Sequence, residues 1–423
     1  MDGDGFRSDL ARELANDALE RFLRYVRIDT QSDPDSASAP STEKQLELSR
    51  VLVEELREIG LSDAELDGHG LVFATLPATI ERDVPTIGLV AHVDTSSDVP
   101  GANVAPQVLR YEGGDVSLPA DPAQILSPGD SPELENHVGH DLVTTDGTTL
   151  LGADDKAGVA EIMAAVAYLA RTPEVERGPV RVAFTPDEEV GRGVDNFDLE
   201  RFGAEVAYTL DGSTAGEIQD ETFSALEARV AFRGRAVHPG YAKGILVNAI
   251  RLAADFVSRL PAELAPETTE EREGFVHPTR IEGNAEKCEV RLILRDFDEE
   301  KLEGYAALVR LLADEAASAD GAGVDVDLRR QYRNMKRYLD EVPRAVALAD
   351  EAVRRAGLEP VRSLVRGGTD GSRLSELGLP TPNIFTGGQQ AHSQREWICV
   401  ADMGSAAETI VHLVRLWASE PGN

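Results

Sequence analysis

Apolar positions along this chain follow two periodicities, and each predicts one kind of element. Short apolar runs rich in β-branched residues predict strands at 71–78, 86–94, 180–189 and 206–212. Apolar positions at helical spacing predict helices at 10–27, 43–59, 156–170, 342–356 and 404–418. Because these strands alternate with helices, the pattern predicts an α/β fold with a mixed, largely parallel sheet flanked by helices.

The pattern changes after about residue 221. Strands are predicted at 224–236, 278–283, 287–297 and 324–332, with helices at 245–260 and 298–317. The order β-α-β-β-α-β is that of a ferredoxin-like α+β unit. We therefore expect a main domain formed by residues 1–220 and 336–423, with an inserted lid or dimerisation domain at 221–335.

One stretch of the main domain lacks a clear periodicity. Residues 97–147 are rich in Pro, Gly and Asp. Such composition indicates turns, and long loops of this kind often serve a binding site. We expect a long irregular excursion here.

Composition and charge narrow the classes of function. A length of 423 residues favours two domains, and the net charge of −34 argues against nucleic acid or an anionic membrane as a partner. No apolar run is long enough to span a bilayer, and the first residues are acidic and amphipathic, so we expect a cytoplasmic protein. Two cysteines imply no disulfide framework. The acidic bias fits either a salt-loving source or a GC-rich genome.

Candidate metal ligands follow the predicted strands. Taken singly, each is more often a turn residue, a helix cap or a solvated loop residue. Together they would repel one another without cations, and mixed His and carboxylate ligation suits zinc, or manganese or cobalt. Their number exceeds what one tetrahedral ion takes, so two metals sharing a carboxylate is the economical interpretation. The candidates are His92, Asp94, Asp154, Asp155, Asp187, Glu188, Glu189, Asp211 and His392.

Several longer stretches carry a resemblance to a known family. They are "AHVDTS", "TTDGTTLLGADDKAGVAEI", "TPDEEVGRGVDNFD", "YTLDG", "VHPGYAKG", "LRDFD", "VRGGTDGSRLSELGLPTPNIFTGG" and "AHSQREW". The sequence resembles the co-catalytic dizinc aminoacylase/carboxypeptidase superfamily of exopeptidases, and within it the tripeptide aminopeptidase (peptidase T) family. The resemblance covers nearly the whole chain and implies a phosphorylase/hydrolase-like zinc exopeptidase core with two Zn²⁺ per subunit, for which Mn²⁺ or Co²⁺ could substitute.

The resemblance also implies a role for each candidate in the hydrolysis of tripeptides. Asp154 bridges the two metals, one of which is completed by His92 and Asp211. Glu189 and His392 complete the other metal. Asp94 orients His92, a role that fixes the tautomer of a ligand imidazole. Glu188 is the general base that activates a metal-bridging water and passes its proton to the leaving amine.

The inserted domain supplies the remaining implied residues. His238 would stabilise the oxyanion in the partner subunit of a homodimer that forms through the lid. Arg295, Arg366 and Asn248 would bind the substrate carboxylate, a role that suits the bidentate guanidinium. From the residues alone, His238 could equally be a turn residue, and either arginine could be a structural ion-pair former. The resemblance further implies a cis peptide bond between Asp154 and Asp155.

Two alternatives to a tripeptide aminopeptidase stay open. One is another member of the superfamily, namely a dipeptidase, a carboxypeptidase or an N-acyl amino acid deacylase; Asp at 211 favours aminopeptidases and dipeptidases, whereas carboxypeptidase-type relatives tend to have Glu. The other is a peptide-binding protein without activity, against which Glu188 argues. The run Ser393-Gln394-Arg395 departs from the Gly and second His that peptidase T sequences tend to have there, which leaves the side-chain preference open.

Overall fold

The chain forms two compact units, seen in a computed structural model that describes residues 4–318 and 321–422. The described residues of Met1–Asp220, Arg337–Ser363 and Thr369–Asn423 make up unit 1. Unit 2 comprises the described residues of Glu221–Lys336 together with Leu364–Gly368. Within the described ranges, no helix is long and apolar enough to cross a membrane.

The seven helices that apolar periodicity predicts all form, with ends close to the predicted positions, and three shorter helices among the described residues were not predicted. Most of them bury one face, and α3 and α10 are buried almost all round in the core of unit 1. Their bounds are α1 (Asp9–Tyr25), α2 (Gln45–Ile59), α3 (Ala153–Arg171), α4 (Leu199–Phe202), α5 (Ala249–Arg259), α6 (Glu299–Ala316), α7 (Lys336–Leu339), α8 (Pro343–Arg355), α9 (Asp370–Glu376) and α10 (Val400–Trp417).

The strands of the described chain fall into several sheets. Their bounds are β1 (Glu65–Leu66), β2 (Val72–Leu76), β3 (Ile87–His92), β4 (Gln107–Arg110), β5 (Val116–Ser117), β6 (Ile125–Leu126), β7 (Asp141–Thr144), β8 (Val180–Thr185), β9 (Val206–Gly212), β10 (Glu217–Thr222), β11 (Ser224–Arg233), β12 (Phe275–Gly283), β13 (Lys287–Asp296), β14 (Gly323–Tyr332), β15 (Val361–Val365), β16 (Asn383–Phe385), β17 (Gly388–Gln389) and β18 (Trp397–Cys399).

The largest sheet confirms the predicted α/β fold. Its strand order is β1-β2-β8-β3-β9-β16-β10-β15. The four central strands β8, β3, β9 and β16 pair in parallel, whereas the pairs β1–β2, β2–β8 and β10–β16 are antiparallel. The residues of β3 are all buried, as expected for a strand covered on both faces. The carboxyl ends of β8, β3 and β9 consequently lie at one edge of the sheet.

Much of residues 97–147 is irregular, as expected, but the expectation missed four short strands. This stretch contains β4, β5, β6 and β7, and a second sheet has the order β17-β18-β7-β4. Strand β7 pairs with β18, so that Val143 lies opposite Ile398. Strand β7 is stabilised by a partner about 250 residues away, and such pairing leaves no pattern of apolar residues in the nearby sequence. The stretch was therefore predicted as a loop.

Unit 2 has the predicted ferredoxin-like order of elements. Its antiparallel sheet runs β12-β13-β11-β14, and α5 and α6 pack on one face of it. Strand β11 alternates buried and exposed residues along most of its length, which matches a sheet with one face covered by helices. The core of this unit is separate from that of unit 1.

A glycine allows α3 to contact the sheet backbone directly. A Cβ atom at Gly158 would lie 1.9 Å from the carbonyl oxygen of Leu210 in β9 and 2.5 Å from an Asp155 carboxylate oxygen. No side chain fits at such a distance, so any larger residue would push the helix away from β9. This contact brings the start of α3 next to the end of β9.

Candidate active site

Five of the predicted ligands meet at the carboxyl edge of the large sheet. His92 is the last residue of β3, Asp211 lies near the end of β9, and Asp154 lies at the start of α3. Glu189 follows β8 in a short 3₁₀ turn, and His392 follows β17. This edge is where open α/β sheets bind their ligands.

The five side chains form two clusters that share one residue. One cluster contains His92, Asp154 and Asp211, the other contains Asp154, Glu189 and His392, and within each cluster the ligand-type atoms lie within 4.8 Å of one another. Asp154 uses a different carboxylate oxygen in each cluster. Its Oδ1 lies 3.0 Å from Nε2 of His92, and its Oδ2 lies 3.4 Å from Nε2 of His392. This is the arrangement expected of a carboxylate that bridges two cations.

Each histidine of the clusters has a carboxylate beside its outer nitrogen. Nδ1 of His92 lies 3.4 Å from Oδ1 of Asp94, and Nδ1 of His392 lies 3.1 Å from Oδ2 of Asp98. Such partners fix the tautomer of a metal-ligating imidazole and direct its other nitrogen to the metal. Asp94 was predicted for this position. Asp98 was missed, because it lies in the stretch interpreted as an irregular loop.

The turn that carries Glu188 and Glu189 is held from two sides. Asp94 accepts the backbone N–H groups of Glu188, at 3.0 Å, and of Glu189, at 3.2 Å. On the other side the buried carboxylate of Asp187 accepts the backbone N–H and hydroxyl of Ser41 and the side-chain amide of Gln45. Asp187 itself has a positive φ of 61°. Asp187 therefore anchors the turn, while the two residues after it extend their carboxyl groups into the site.

Glu396 supports the loop that carries Asp154. One of its oxygens accepts the backbone N–H groups of Leu151 and Gly152, both at 2.7 Å, and the other accepts that of Asp154 at 3.0 Å. The side chain is buried. In the sequence, the hint of a role for Glu396 is its position four residues after His392. Sequence reasoning noted Glu396 only as part of a motif and assigned it no role.

We expect Glu396→Gln to loosen this loop. Glutamine has a single acceptor oxygen, so at least one of the three backbone N–H groups would lose its partner, at a cost of about 1–3 kcal/mol. The free energy of unfolding in urea should fall by that amount, and zinc affinity should fall with it. The exposed Glu58→Gln should change stability by less than about 0.5 kcal/mol. Equal unfolding midpoints for the two variants would contradict this role for Glu396.

The two adjacent aspartates point to different partners. The peptide bond between Asp154 and Asp155 is cis, as the resemblance implied. Asp155 is fully buried and its Oδ2 accepts the backbone N–H of His92 at 3.0 Å. The neighbouring Lys156 is also buried and donates to the carbonyl oxygen of Ile28 at 2.8 Å. Asp155 thus supports β3, while Asp154 faces the clusters.

The site concentrates ionisable groups whose pKa values depend on one another. Burial raises the pKa of Glu188 well above its ordinary value, and burial together with Asp154 raises that of Glu189 to about 7. Hydrogen bonds to Asp154 and Glu189 raise the pKa of His392 to about 11. Burial alone would raise the pKa of Asp154 as well, but hydrogen bonds from His392 and His92 lower it. The buried carboxylates of this site therefore need positively charged neighbours to remain ionised.

One further carboxyl group contributes to this field. Asp370, at the start of α9, is buried and accepts the hydroxyl of Thr185 at 2.6 Å. Burial raises its pKa to about 7, and its charge acts in turn on Glu188. The sequence contains this residue within "GGTDGS", and the pattern of strand ends gave no reason to single it out.

The residues present fit two cations. Oε1 of Glu189 is buried and has no hydrogen-bond partner among the described residues, a state that a cation would relieve. Each cluster offers one imidazole nitrogen and two carboxylates, a mixture that zinc and related first-row ions accept. Because Asp154 belongs to both clusters, five side chains provide three ligands to each of the two cations.

The four predicted substrate-binding residues all lie in unit 2. His238 is exposed, and its Nδ1 accepts the backbone N–H of Gly240 at 3.1 Å. The side chain of Asn248 caps α5 by accepting the N–H of Ile250 at 3.0 Å. These contacts give both residues a local structural role, and their substrate roles stay predictions.

The two arginines of unit 2 also have local partners. The guanidinium of Arg295 stacks on the ring of Tyr332, 5.2 Å from its centroid. Arg366 donates to the carbonyl oxygens of Glu271 and Glu273, both at 2.8 Å, and to the hydroxyl of Thr269 at 3.0 Å. Arg366 therefore fastens the 269–273 segment to the 364–368 segment of the same unit. A substrate role for either arginine stays a prediction.

Comparison with known proteins assigns the chain to a family. A family model described as Peptidase family M20/M25/M40 matches residues 136–416. Peptidase T of Geobacillus thermodenitrificans is 50% identical over 408 residues, which are 96% of this chain and 99% of that protein. The chain belongs to peptidase family M20/M25/M40. Within this family it is a relative of peptidase T along almost its whole length.

Solved structures extend the likeness to the fold. Aminopeptidase PepT from Bacillus cereus is similar with a TM-score of 0.73 at 25% identity, over 96% of this chain and 99% of that one. A Bacillus subtilis protein described as a dinuclear metal-binding peptidase of the M20 family has a TM-score of 0.63 at 15% identity, over 96% and 98%. The second likeness concerns the fold alone. The predicted fold, a mixed and largely parallel sheet flanked by helices with an inserted ferredoxin-like domain, is confirmed.

Proposed function

We propose that this chain is a metallo-aminopeptidase that hydrolyses the N-terminal residue from tripeptides. The observation that carries the proposal is the pair of clusters joined by Asp154, in a chain half identical to peptidase T. We also propose that the enzyme is cytoplasmic, the location expected from the sequence, in which two cysteines imply no disulfide framework.

The five clustered side chains would hold two zinc ions. His92 and Asp211 would bind one ion, Glu189 and His392 the other, and Asp154 both. Manganese or cobalt would fit the same donors. When bound, such ions polarise the scissile carbonyl group and make a water acidic enough to lose a proton near neutral pH.

Glu188 would move the proton in the reaction. Its carboxylate would take a proton from the attacking water as the new bond to the carbonyl carbon forms. The same carboxyl group would then give the proton to the nitrogen of the leaving dipeptide as the C–N bond breaks. Burial raises the pKa of Glu188, and the positive charge of two bound cations would oppose that shift and keep the carboxylate ionised until it takes the proton.

Asp94 would position both the base and a ligand. It lies against His92 and accepts the N–H of Glu188, so one carboxylate sets the orientation of an imidazole and of the catalytic turn. Through Asp94, the position of Glu188 therefore depends on that of His92.

Unit 2 would contribute to substrate binding. We retain His238 as the oxyanion donor to a partner copy in a homodimer, and Asn248, Arg295 and Arg366 as binders of the substrate carboxylate. The family resemblance supports these roles, and the exposure of His238 fits a donor that serves another copy. For Arg366, carboxylate binding would compete with the backbone carbonyl groups that it now contacts.

A substrate panel tests the proposed function. The zinc-loaded chain would be assayed on a tripeptide, the dipeptide made by removing its last residue, the same tripeptide with a blocked N-terminus, and an N-acyl amino acid. We expect hydrolysis of the free tripeptide, with the first residue and a dipeptide as products. Preferred cleavage of the dipeptide, release of the C-terminal residue or deacylation would each replace the proposal with another activity of the superfamily. No turnover of any substrate would contradict the enzymatic function.

A further inference from the structure

A third group of metal-ligand side chains lies in unit 1 and has no part in the proposed reaction. It consists of His137, His140 and Cys399, whose ligand-type atoms lie within 4.8 Å of one another. His137 ends a 3₁₀ turn and His140 directly precedes β7, while Cys399 ends β18. The pairing of β7 with β18 brings these distant parts of the sequence together.

The separations match the edges of a tetrahedral zinc site. Nδ1 of His137 lies 3.4 Å from Nδ1 of His140, and the latter lies 3.9 Å from Sγ of Cys399. With Zn–N and Zn–S bonds of about 2.0 and 2.3 Å, tetrahedral ligands lie about 3.3 Å apart for two nitrogens and about 3.5 Å apart for nitrogen and sulfur. Shifts of a few tenths of an ångström would therefore fit Nδ1 of His140 to both partners, and the ligand-type atoms of His137 and Cys399 lie within 4.8 Å of each other.

The surroundings orient the first histidine. Nε2 of His137 lies 3.5 Å from Oδ2 of the buried Asp402, and its ring packs edge-on against Trp397, with centroids 5.3 Å apart. The same arrangement of a carboxylate beside the outer imidazole nitrogen occurs at His92 and His392. Such a partner leaves the other ring nitrogen to face the metal. Here that nitrogen is Nδ1, the atom that faces His140.

The second histidine is enclosed from the other side. A Cβ atom at Gly5 would lie 2.7 Å from the imidazole of His140, so the backbone there lies against the ring. Cys399 is fully buried beneath the two imidazoles. The three side chains therefore form a preformed group, with neighbours that limit its rearrangement.

We propose that His137, His140 and Cys399 bind a single Zn²⁺ ion, separate from the two ions of the active site. The donors, two imidazoles and one thiol that would lose its proton on binding, are those of zinc sites in proteins. The fourth position would take water. The ion would link the 97–147 stretch to the start of α10.

Cobalt substitution tests this proposal independently of peptidase activity. A thiolate bound to Co²⁺ gives an intense charge-transfer absorption in the near ultraviolet, and the proposed active-site ligands include no sulfur. We expect that absorption when the full chain is titrated with Co²⁺, and its loss on adding Zn²⁺. Absence of the band at cobalt concentrations that support peptidase activity would overturn the proposal.

Three variants complete the experiment. Cys399→Ser and His140→Gln should each abolish the band and bind one zinc equivalent fewer than the parent chain by elemental analysis. The half-buried His140 serves as the second variant in case the buried Cys399→Ser fails to fold. Cys288→Ser, which removes the cysteine of unit 2, should keep the band. A band that survives in His140→Gln, or that disappears only in Cys288→Ser, would overturn the assignment.

Discussion

Glu188→Gln is expected to lower kcat for tripeptide hydrolysis by about 10²–10⁴-fold, the usual contribution of a general base. Glutamine keeps the shape of the side chain but cannot accept the proton of the attacking water. Because Glu188 belongs to neither cluster, the bound zinc should stay the same. Stopped assays with excess tripeptide, together with the zinc content of the same sample, would measure both quantities.

Asp187→Asn is the matched control, since it makes the same chemical change one residue earlier. Asp187 accepts hydrogen bonds from Ser41 and Gln45 and faces away from the clusters. We expect a lower melting temperature and, in the zinc-loaded fraction, a kcat within a few-fold of the parent. Full activity of the Glu188→Gln variant would show that another group accepts the proton.

Asp154→Asn should remove both metals together. Each cluster loses a ligand, and the amide that replaces one carboxylate oxygen is a weak donor to zinc. Loss of a residue that merely orients a ligand costs about 10–100-fold in metal affinity, so loss of this shared ligand should cost more than that at both positions. Zinc titration with a competing chelator would give the affinities of the two active-site positions, beside the separate position proposed at Cys399, and peptidase activity should be lost with them.

Asp211→Asn and Asp98→Asn separate this effect from a general loss of charge. Asp211 belongs to one cluster only, so its variant should weaken one metal and keep the other. Asp98 belongs to neither cluster and contacts the outer nitrogen of His392, so its variant should show the smaller, 10–100-fold effect. If Asp154→Asn weakened one metal alone, Asp154 would not be the bridging ligand.

The elements of the large sheet could be predicted because each one carries its own periodicity. Strands β3, β8 and β9 are runs of buried apolar residues, and α3 and α10 are long apolar helices. The sheet β17-β18-β7-β4 was not predicted. Its strands are two to four residues long, and the register of β7 depends on β18, which lies far along the chain. Burial by remote partners leaves no local pattern to interpret.

Some residues of the candidate site could likewise be predicted from the sequence, and others could not. Residues that follow predicted strands, such as His92 and Asp211, could be proposed from their position, and Asp154 from the conflict of two adjacent charges. Glu396 and Asp98 could not, because each acts by a hydrogen bond to a distant segment. Their types and positions are those of ordinary polar loop residues, and only the folded structure reveals what they contact.

The insertion of unit 2 into unit 1 determines when the proposed metal ligands are synthesised. His92, Asp154 and Asp211 all precede unit 2, whereas His392 follows it. Since a chain is synthesised from its N-terminus and its domains generally fold as units, unit 1 cannot be completed before unit 2 has been made. Strand β16 of the large sheet, α10 of the core and Glu396 beside the Asp154 loop all follow the insertion. Both proposed metal positions are therefore expected to form late, after synthesis has passed through the whole insertion.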